Sequence, residues 1–565
     1  MFLPGRLRWC LALILFWATP IAAQNPPTIP STKIDATADT CTLSGMVVSK
    51  VESAPLKGAT IQLRTEGDRE HTIAAKTGAD GRFLLKNVPA GNYHVRVSRN
   101  GYFDVEYGQR KPGDPGALLN LQPGQTVSDL LFKMGRAGVI SGRIFDEDGE
   151  PMAEVMVQAL RNSYKDGHPE LTYVTQAQSN DLGEFRLFGL SPGRYYVSAQ
   201  QPAWNQVVGE KEFSGASNAT EKGYATVYYP NALDPDKASP LTVKEGEEVP
   251  AIDFLMKAVA VYRIRGKVFN LVSKHGARNL QVLVLPRKQE SNFITFGNSN
   301  VVKADGSFEL PEIAPGEYTI SAMLFDEGKI YSTQQDVDVT AADVDGLVLS
   351  VSTGVTIPGR VNWEGKPSVG KNEASVSLHS AQSQFGIGYS HAMMDESWQF
   401  TLKEVPDGTF KVQLGGLSED CYIKEVKFGE TALPDVELRV KGASENLEIT
   451  VSSRGARMDG QVLNSDSLPV VGAWVVAVPE EDKRKFLRLY KSALTDQHGH
   501  YEIRGIAPGK YKLFSWEGIE EKTWEDPEFL KEYEDKGQAI EVVDGDQKSM
   551  ELGSLSAKDP QTKTE

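Results

Sequence analysis

Apolar and polar positions alternate along this chain in short bursts, and one burst shows the rule for the rest. From Asp305 to Ile320 the sequence reads DGSFELPEIAPGEYTI. Asp305-Gly306 opens a tight turn, because glycine accepts the positive φ that hairpin turns require. Phe308 and Leu310 then alternate with polar neighbours, the period of a half-buried strand. Pro315-Gly316 makes a second turn, and Tyr318 and Ile320 resume the alternation in a returning strand. The stretch predicts turn, strand, turn, strand.

The same pattern recurs with its spacing kept. Gly81, Phe83, Leu85, Gly91 and Tyr93 form one copy; Gly183, Phe185, Leu187, Gly193 and Tyr195 form the next. Gly499, Tyr501, Ile503, Gly509 and Tyr511 form the last. A fourth copy is degraded: Ser397 and Trp398 replace the Asp-Gly pair, while Phe400, Leu402, Gly408 and Phe410 hold their places. Each copy is preceded by a strand with its own glycine, at 45, 142, 266, 359 and 460. From that glycine to the second-turn glycine the separations are 46, 51, 50, 49 and 49 residues. A period near 100 residues is too long for a solenoid and suits a string of small domains.

Further alternating runs bring the expectation to about seven short strands per repeat. Seven turn-punctuated strands with almost no helix argue for an all-β chain, a tandem array of about five antiparallel Greek-key-type β-sandwiches. The expected domains are 41–134, 135–259, 260–352, 353–453 (degenerate motif) and 454–556, with a tail at 557–565. One helix is expected in the fifth repeat. Asp526 is its N-cap, Pro527 takes the first helical position and Glu528 puts acid in the first turn. With so little linker between repeats, neighbouring domains should abut as a semi-rigid rod or arc.

At the N-terminus, Arg6 and Arg8 precede the apolar run Leu11 to Trp17, and small residues follow at Ala22 and Ala23. This reads as a signal peptide over 1–23, followed by a Pro- and Thr-rich flexible leader over 24–40. The expected mature chain is exported, periplasmic or at the cell surface, with no transmembrane segment. Removing the signal takes away two Arg, moving the net charge from −16 to −18. Without a basic cluster, nucleic acid is excluded as a partner class. Only Cys41 and Cys421 would remain, so the domains rely on ordinary cores rather than a disulfide framework. A bridge between them would require the string to fold back on itself.

The succession G-x-V, P-x-x-G-A-x-V and D-x-x-G-x-F-x-L-x-x-V-x-P-G-x-Y resembles the carboxypeptidase regulatory-like domain. That family is similar to transthyretin-type and Cna B-type sandwiches and neighbours the carbohydrate-binding-like fold. Details such as Tyr228-Tyr229-Pro230-Asn231 and Asp420-Cys421-Tyr422 resemble exported proteins of soil bacteria, Acidobacteria especially. The resemblance implies fold and export. Such modules serve as spacers, adhesins, glycan binders and appendages of enzymes or receptors, so it leaves function open.

Enzymatic chemistry is not expected. The histidines are scattered, and only His498-x-His500 places two together, on a turn and short of the three or four ligands zinc needs. No Gly-x-Ser-x-Gly elbow, Walker loop or dinucleotide fingerprint occurs. The Asp-Gly turns offer too few oxygens for calcium. Lys50 and Lys267 could seed an isopeptide crosslink, but no Lys, acid and Asn recur together across the repeats. No metal and no cofactor are expected.

Binding is the remaining class, and it rests on aromatics outside the repeating pattern. Trp204, Tyr224, Tyr228 and Tyr229 lie in or beside an insertion of the second repeat, and Trp516 and Trp524 lie in the fifth. Exposed rings of this kind stack on sugars. The leading expectation is therefore an exported, non-enzymatic protein that binds a polysaccharide or other glycan through sandwich loops. The alternatives are a structural spacer or adhesion rod, and an accessory subunit of an envelope peptidase or outer-membrane receptor.

Overall fold

A computed structural model of the chain describes residues 40–556, except 66–71, 110, 114, 166, 202–221, 274, 275, 278, 288–299, 328, 370–373, 381–387 and 443. Among the described residues nearly all regular structure is strand, and no helix is long and apolar enough to cross a membrane. Among the described residues, five inter-sheet hydrophobic cores are drawn in turn from residues 41–134, 140–256, 264–351, 357–451 and 456–552. Each lies between two facing sheets, which is how a strand with one apolar face hides it.

The first sandwich shows the plan. Strand Thr40–Ser49 sits between Arg82–Pro89 and Thr126–Met134 in one sheet, while Thr60–Thr65 and Gly91–Ser98 centre the other. Pairing is antiparallel except in one place: the first strand of the repeat runs parallel to the last. The same closure joins Tyr262–Asn270 to Val344–Val351, Val355–Glu364 to Leu447–Ser452, and Ala456–Leu463 to Leu552–Gly553. Phe83, Leu85, Tyr93, Val95 and Val97 alternate inward, and their neighbours face water.

This parallel closure explains the first glycine of every repeat. A Cβ on Gly45, Gly142, Gly266, Gly359 or Gly460 would stand 2.1, 2.1, 2.2, 2.5 or 1.9 Å from a carbonyl oxygen. Those oxygens belong to Leu130, Leu347 and Leu447 on the returning parallel strand, and to Ile252 and Met550 in the short breaks between its two paired segments. Only hydrogen fits there.

The tyrosine after the second turn has an equally constant job. Tyr93, Tyr195, Tyr318 and Tyr511 donate their hydroxyls to the carbonyls of Pro89, Ser191, Ala314 and Ala507, at 2.9, 2.6, 2.8 and 2.9 Å. Each bond ties a strand back onto the turn before it, satisfying a hydroxyl that would otherwise be buried without a partner. The fourth repeat has Phe410 there and forgoes the tie. It is also the repeat without a glycine in its first turn. Gly81, Gly183, Gly306 and Gly499 take φ of +72°, +71°, +85° and +74°, and Trp398 is held at +61° in their place. That conformation costs a bulky residue about 1–2 kcal/mol. Asp395 offsets part of it by accepting the backbone N–H groups of Ser397 and Gln399. The Trp398 ring also meets Trp363 edge-on at 5.0 Å.

The domains do not extend as a rod. Neighbours join in order, and then the fifth sandwich returns to the first. The Asn120 N–H donates to Gln497 Oε1 at 3.1 Å, Gln497 Nε2 donates back to the Asn120 carbonyl at 3.3 Å, and Leu118 bridges Asp496. The fifth domain also touches the second, where the turn Thr523–Glu525 lies against strand Met156–Lys165. The string closes on itself.

Candidate functional site

The expected ligand-binding aromatics are mostly core residues. Trp516 is fully buried, stacked on Phe514 with ring centroids 4.8 Å apart and edge-on to Tyr533. Trp524 is 2% exposed and packs on Trp474 at 5.0 Å. The reason is a second, outer core in the fifth domain. Helix Pro527–Lys531, capped by Asp526, lays Phe529 and Leu530 over the outer face of strands Trp474–Pro479 and Gly509–Glu517. Neither tryptophan can stack on a ligand from solvent.

In the second domain, Tyr228 is 8% exposed and packs in a small cluster with Leu160 and Leu171. Tyr229 is half-buried against Phe254, ring centroids 6.2 Å apart. Tyr224 lies on strand Lys222–Tyr224, half-buried against the sandwich core. Burial raises its hydroxyl pKa, and the nearby carboxylates of Glu147, Asp146 and Asp148 raise it further. Trp204 and most of its loop lie outside the described residues. The structure does not gather the five described rings into one surface.

Other candidates resolve into structural roles. His498 and His500 are exposed on their turn, and Asp496 accepts both of their backbone N–H groups. Lys50 pairs with Glu245 at 2.8 Å across the first domain junction, and Lys267 lies over the Phe269 ring. Cys41 and Cys421 are both free thiols. Cys41 is buried in the first core and donates to the Gln122 carbonyl, whereas Cys421 is at the junction of the fourth and fifth domains. Burial pushes the Cys421 thiol pKa up, with Asp420 adding to the effect.

Polar chemistry concentrates where domains meet. The Tyr422 hydroxyl donates to Asp544 at 2.7 Å, and Arg454 reaches the same carboxylate at 3.2 Å. Burial, with this hydrogen bond adding to it, pushes Tyr422 up to about 12. Glu404, with φ of +59°, reaches across to Lys329 at 2.5 Å and to Tyr331 at 3.4 Å, tying the third domain to the fourth. A junction cleft of about 730 Å³ opens between Leu118 and Asn120 of the first domain, Glu419 and Cys421 of the fourth, and the fifth-domain sheet. Glu502 there holds both Arg457 and Arg504 at 2.5 Å. A second cleft, about 720 Å³, joins His168 of the second domain, Lys411 of the fourth and Glu528 of the fifth. Sequence reasoning missed these composite sites. Their residues come from repeats that are distant along the chain and carry no shared local signal.

The recurrent glycines and the tyrosine ties define a chain of tandem β-sandwiches built on one plan. Residues 42–133 and 139–244 match the carboxypeptidase regulatory-like domain, so the chain carries two copies of it. Among curated proteins, the human BOS complex subunits NOMO3 and NOMO1 are each 22% identical over 411 residues, covering 68% of this chain. The chain spans only 29% of the length of those relatives. Among solved structures, GBS52, the minor pilin of Streptococcus agalactiae, is 13% identical. That likeness covers 39% of this chain and 96% of the pilin with a TM-score of 0.22, too low to carry an argument.

Proposed function

We propose that this chain is an exported, non-enzymatic scaffold that acts as a subunit of a larger envelope assembly. The observation that carries this reading is the return of the fifth domain onto the first, second and fourth. A flexible spacer has no use for that closure, whereas a subunit that presents a fixed composite surface depends on it. The likeness to proteins described as complex subunits points the same way. The test is native electrophoresis of envelope extracts containing the full chain. The chain should migrate in one discrete species above its own 61.9 kDa, together with a second protein that loses its place when this chain is deleted. Migration at its own mass under mild extraction refutes the subunit reading.

Glycan binding is the second reading, favoured by one observation. Tyr224 is half-buried with three carboxylates nearby, the pairing of ring and hydrogen-bond acceptor that sugars use. Affinity electrophoresis through polysaccharide gels tests it. Retardation that is lost in both Trp204→Ala and Tyr224→Ala, with folding kept, supports it. Free migration through every gel removes it.

A further inference from the structure

The three-domain cleft holds one side chain that the fold does not use. Lys491 begins the edge strand Lys491–Leu494 of the fifth domain, half-buried, and lines both the 730 Å³ cleft and a smaller cavity of about 260 Å³ that also touches Cys421. Every other cation in the large cleft is engaged. Arg457 and Arg504 share Glu502, while no carboxylate or carbonyl holds the Lys491 amine among the described residues. A half-buried ammonium without a counter-ion loses part of its hydration, and lysine lessens that cost by giving up its proton more readily.

We propose that this cleft is a small-molecule site in which the Lys491 amine captures a polar aldehyde as an imine. The volume falls within the range of roughly 300–1,000 Å³ typical of ligand pockets. The wall selects the ligand class. Glu419, Asp459, Asp496 and Glu502 outnumber the two arginines, so an anionic ligand is repelled, while an uncharged hydroxyaldehyde can hydrogen-bond to the same carboxylates. Burial alone holds Lys491 below the usual lysine range, which enlarges the nucleophilic, unprotonated fraction. The nitrogen lone pair attacks the carbonyl carbon, and the carbonyl oxygen takes up the proton that nitrogen loses. The resulting carbinolamine expels water as the C=N bond forms. No oxidant or reductant enters.

The experiment treats the full chain with glycolaldehyde and cyanoborohydride, which reduces any imine to a stable secondary amine, and follows each lysine by peptide mass spectrometry. Lys491 should be alkylated faster than the exposed Lys57 and Lys133, since a lowered pKa enlarges the neutral fraction of the amine. The preference should vanish in urea, where the cleft is gone. Labelling no faster than Lys57 overturns the proposal, as does a preference that survives in urea. Acetic anhydride separates carbonyl capture from simple access: preference for Lys491 with the anhydride but not with the aldehyde also overturns it. Lys491→Arg should lose the fast site. The urea and anhydride comparisons use the unsubstituted chain, so the test does not depend on that variant folding.

Discussion

The first glycine of each repeat offers the sharpest test of how this fold is held, and Gly460 is the tightest case. An alanine Cβ at 460 would lie 1.9 Å from the Met550 carbonyl oxygen, against roughly 3.3 Å for an ordinary carbon–oxygen contact. The parallel strand would have to retreat by more than about 1 Å. It is not free to do so. The Met550 N–H is bound to the Asp459 carbonyl at 2.9 Å, and its carbonyl accepts the Tyr501 hydroxyl at 2.8 Å. Overpacking costs about 1–3 kcal/mol and each broken bond about 1 kcal/mol, so Gly460→Ala should lose about 2–5 kcal/mol. For a unit of this size that lowers the melting point of the fifth domain by roughly 10–30 °C. Calorimetry reads the transition, and hydrogen exchange assigns it to residues 454–556. Gly553→Ala is the control, because a Cβ there meets nothing within 4 Å. If Gly460→Ala melts within about 2 °C of Gly553→Ala, the close-approach reasoning is wrong.

Three further outcomes are expected. Tyr511→Phe should lose about 1 kcal/mol in a urea titration by removing the tie to Ala507, and no loss would mean the bond is not formed. Burial pushes Tyr318 and Tyr511 up to about 12, from 10.0 in the unfolded chain. Their contribution to stability is therefore complete below pH 10 and is lost as pH rises toward 12. Tyrosinate absorbance and circular dichroism should change together in that window, and titration of these rings without unfolding would contradict their burial. Gln497→Ala removes its two hydrogen bonds to Asn120 of the first domain, worth about 1 kcal/mol each. Amide exchange should rise at residues 118–121, with a larger maximum dimension in small-angle scattering; unchanged values would show that other contacts close the array.

What the sequence made legible was whatever acts locally and repeats. The turn at Asp305-Gly306, the inward Phe308 and Leu310, and the helix start at Asp526-Pro527 are each set by neighbours a few residues away, and each is present. The sandwich class followed because five copies obey one pattern. Trp398 shows the limit of that logic. Its place in the motif was readable, but not that the backbone there keeps the left-handed turn and that Trp363 covers the ring. The aromatic site was misread for a physical reason as well. Trp516 and Trp524 look alike in sequence whether they face water or a helix, and what decides is Phe529, Leu530 and Tyr533. Their spacing gives the short helix and the turn after it an apolar face that must be covered. That face was the available signal: an amphipathic turn beside two tryptophans predicts a second core before it predicts a ligand.

The closure lay beyond local reading altogether, because Asn120 and Gln497 are 377 residues apart and neither fills a fixed position of the repeat motif. Two hydrogen bonds and a single bridge are a modest hold, about 2 kcal/mol if both bonds count fully. Small-domain strings closed this way keep each sandwich stable on its own core and leave the joints polar. The 730 Å³ cleft at such a joint leaves Lys491 without a carboxylate or carbonyl partner among the described residues, because no single core had to be built around it.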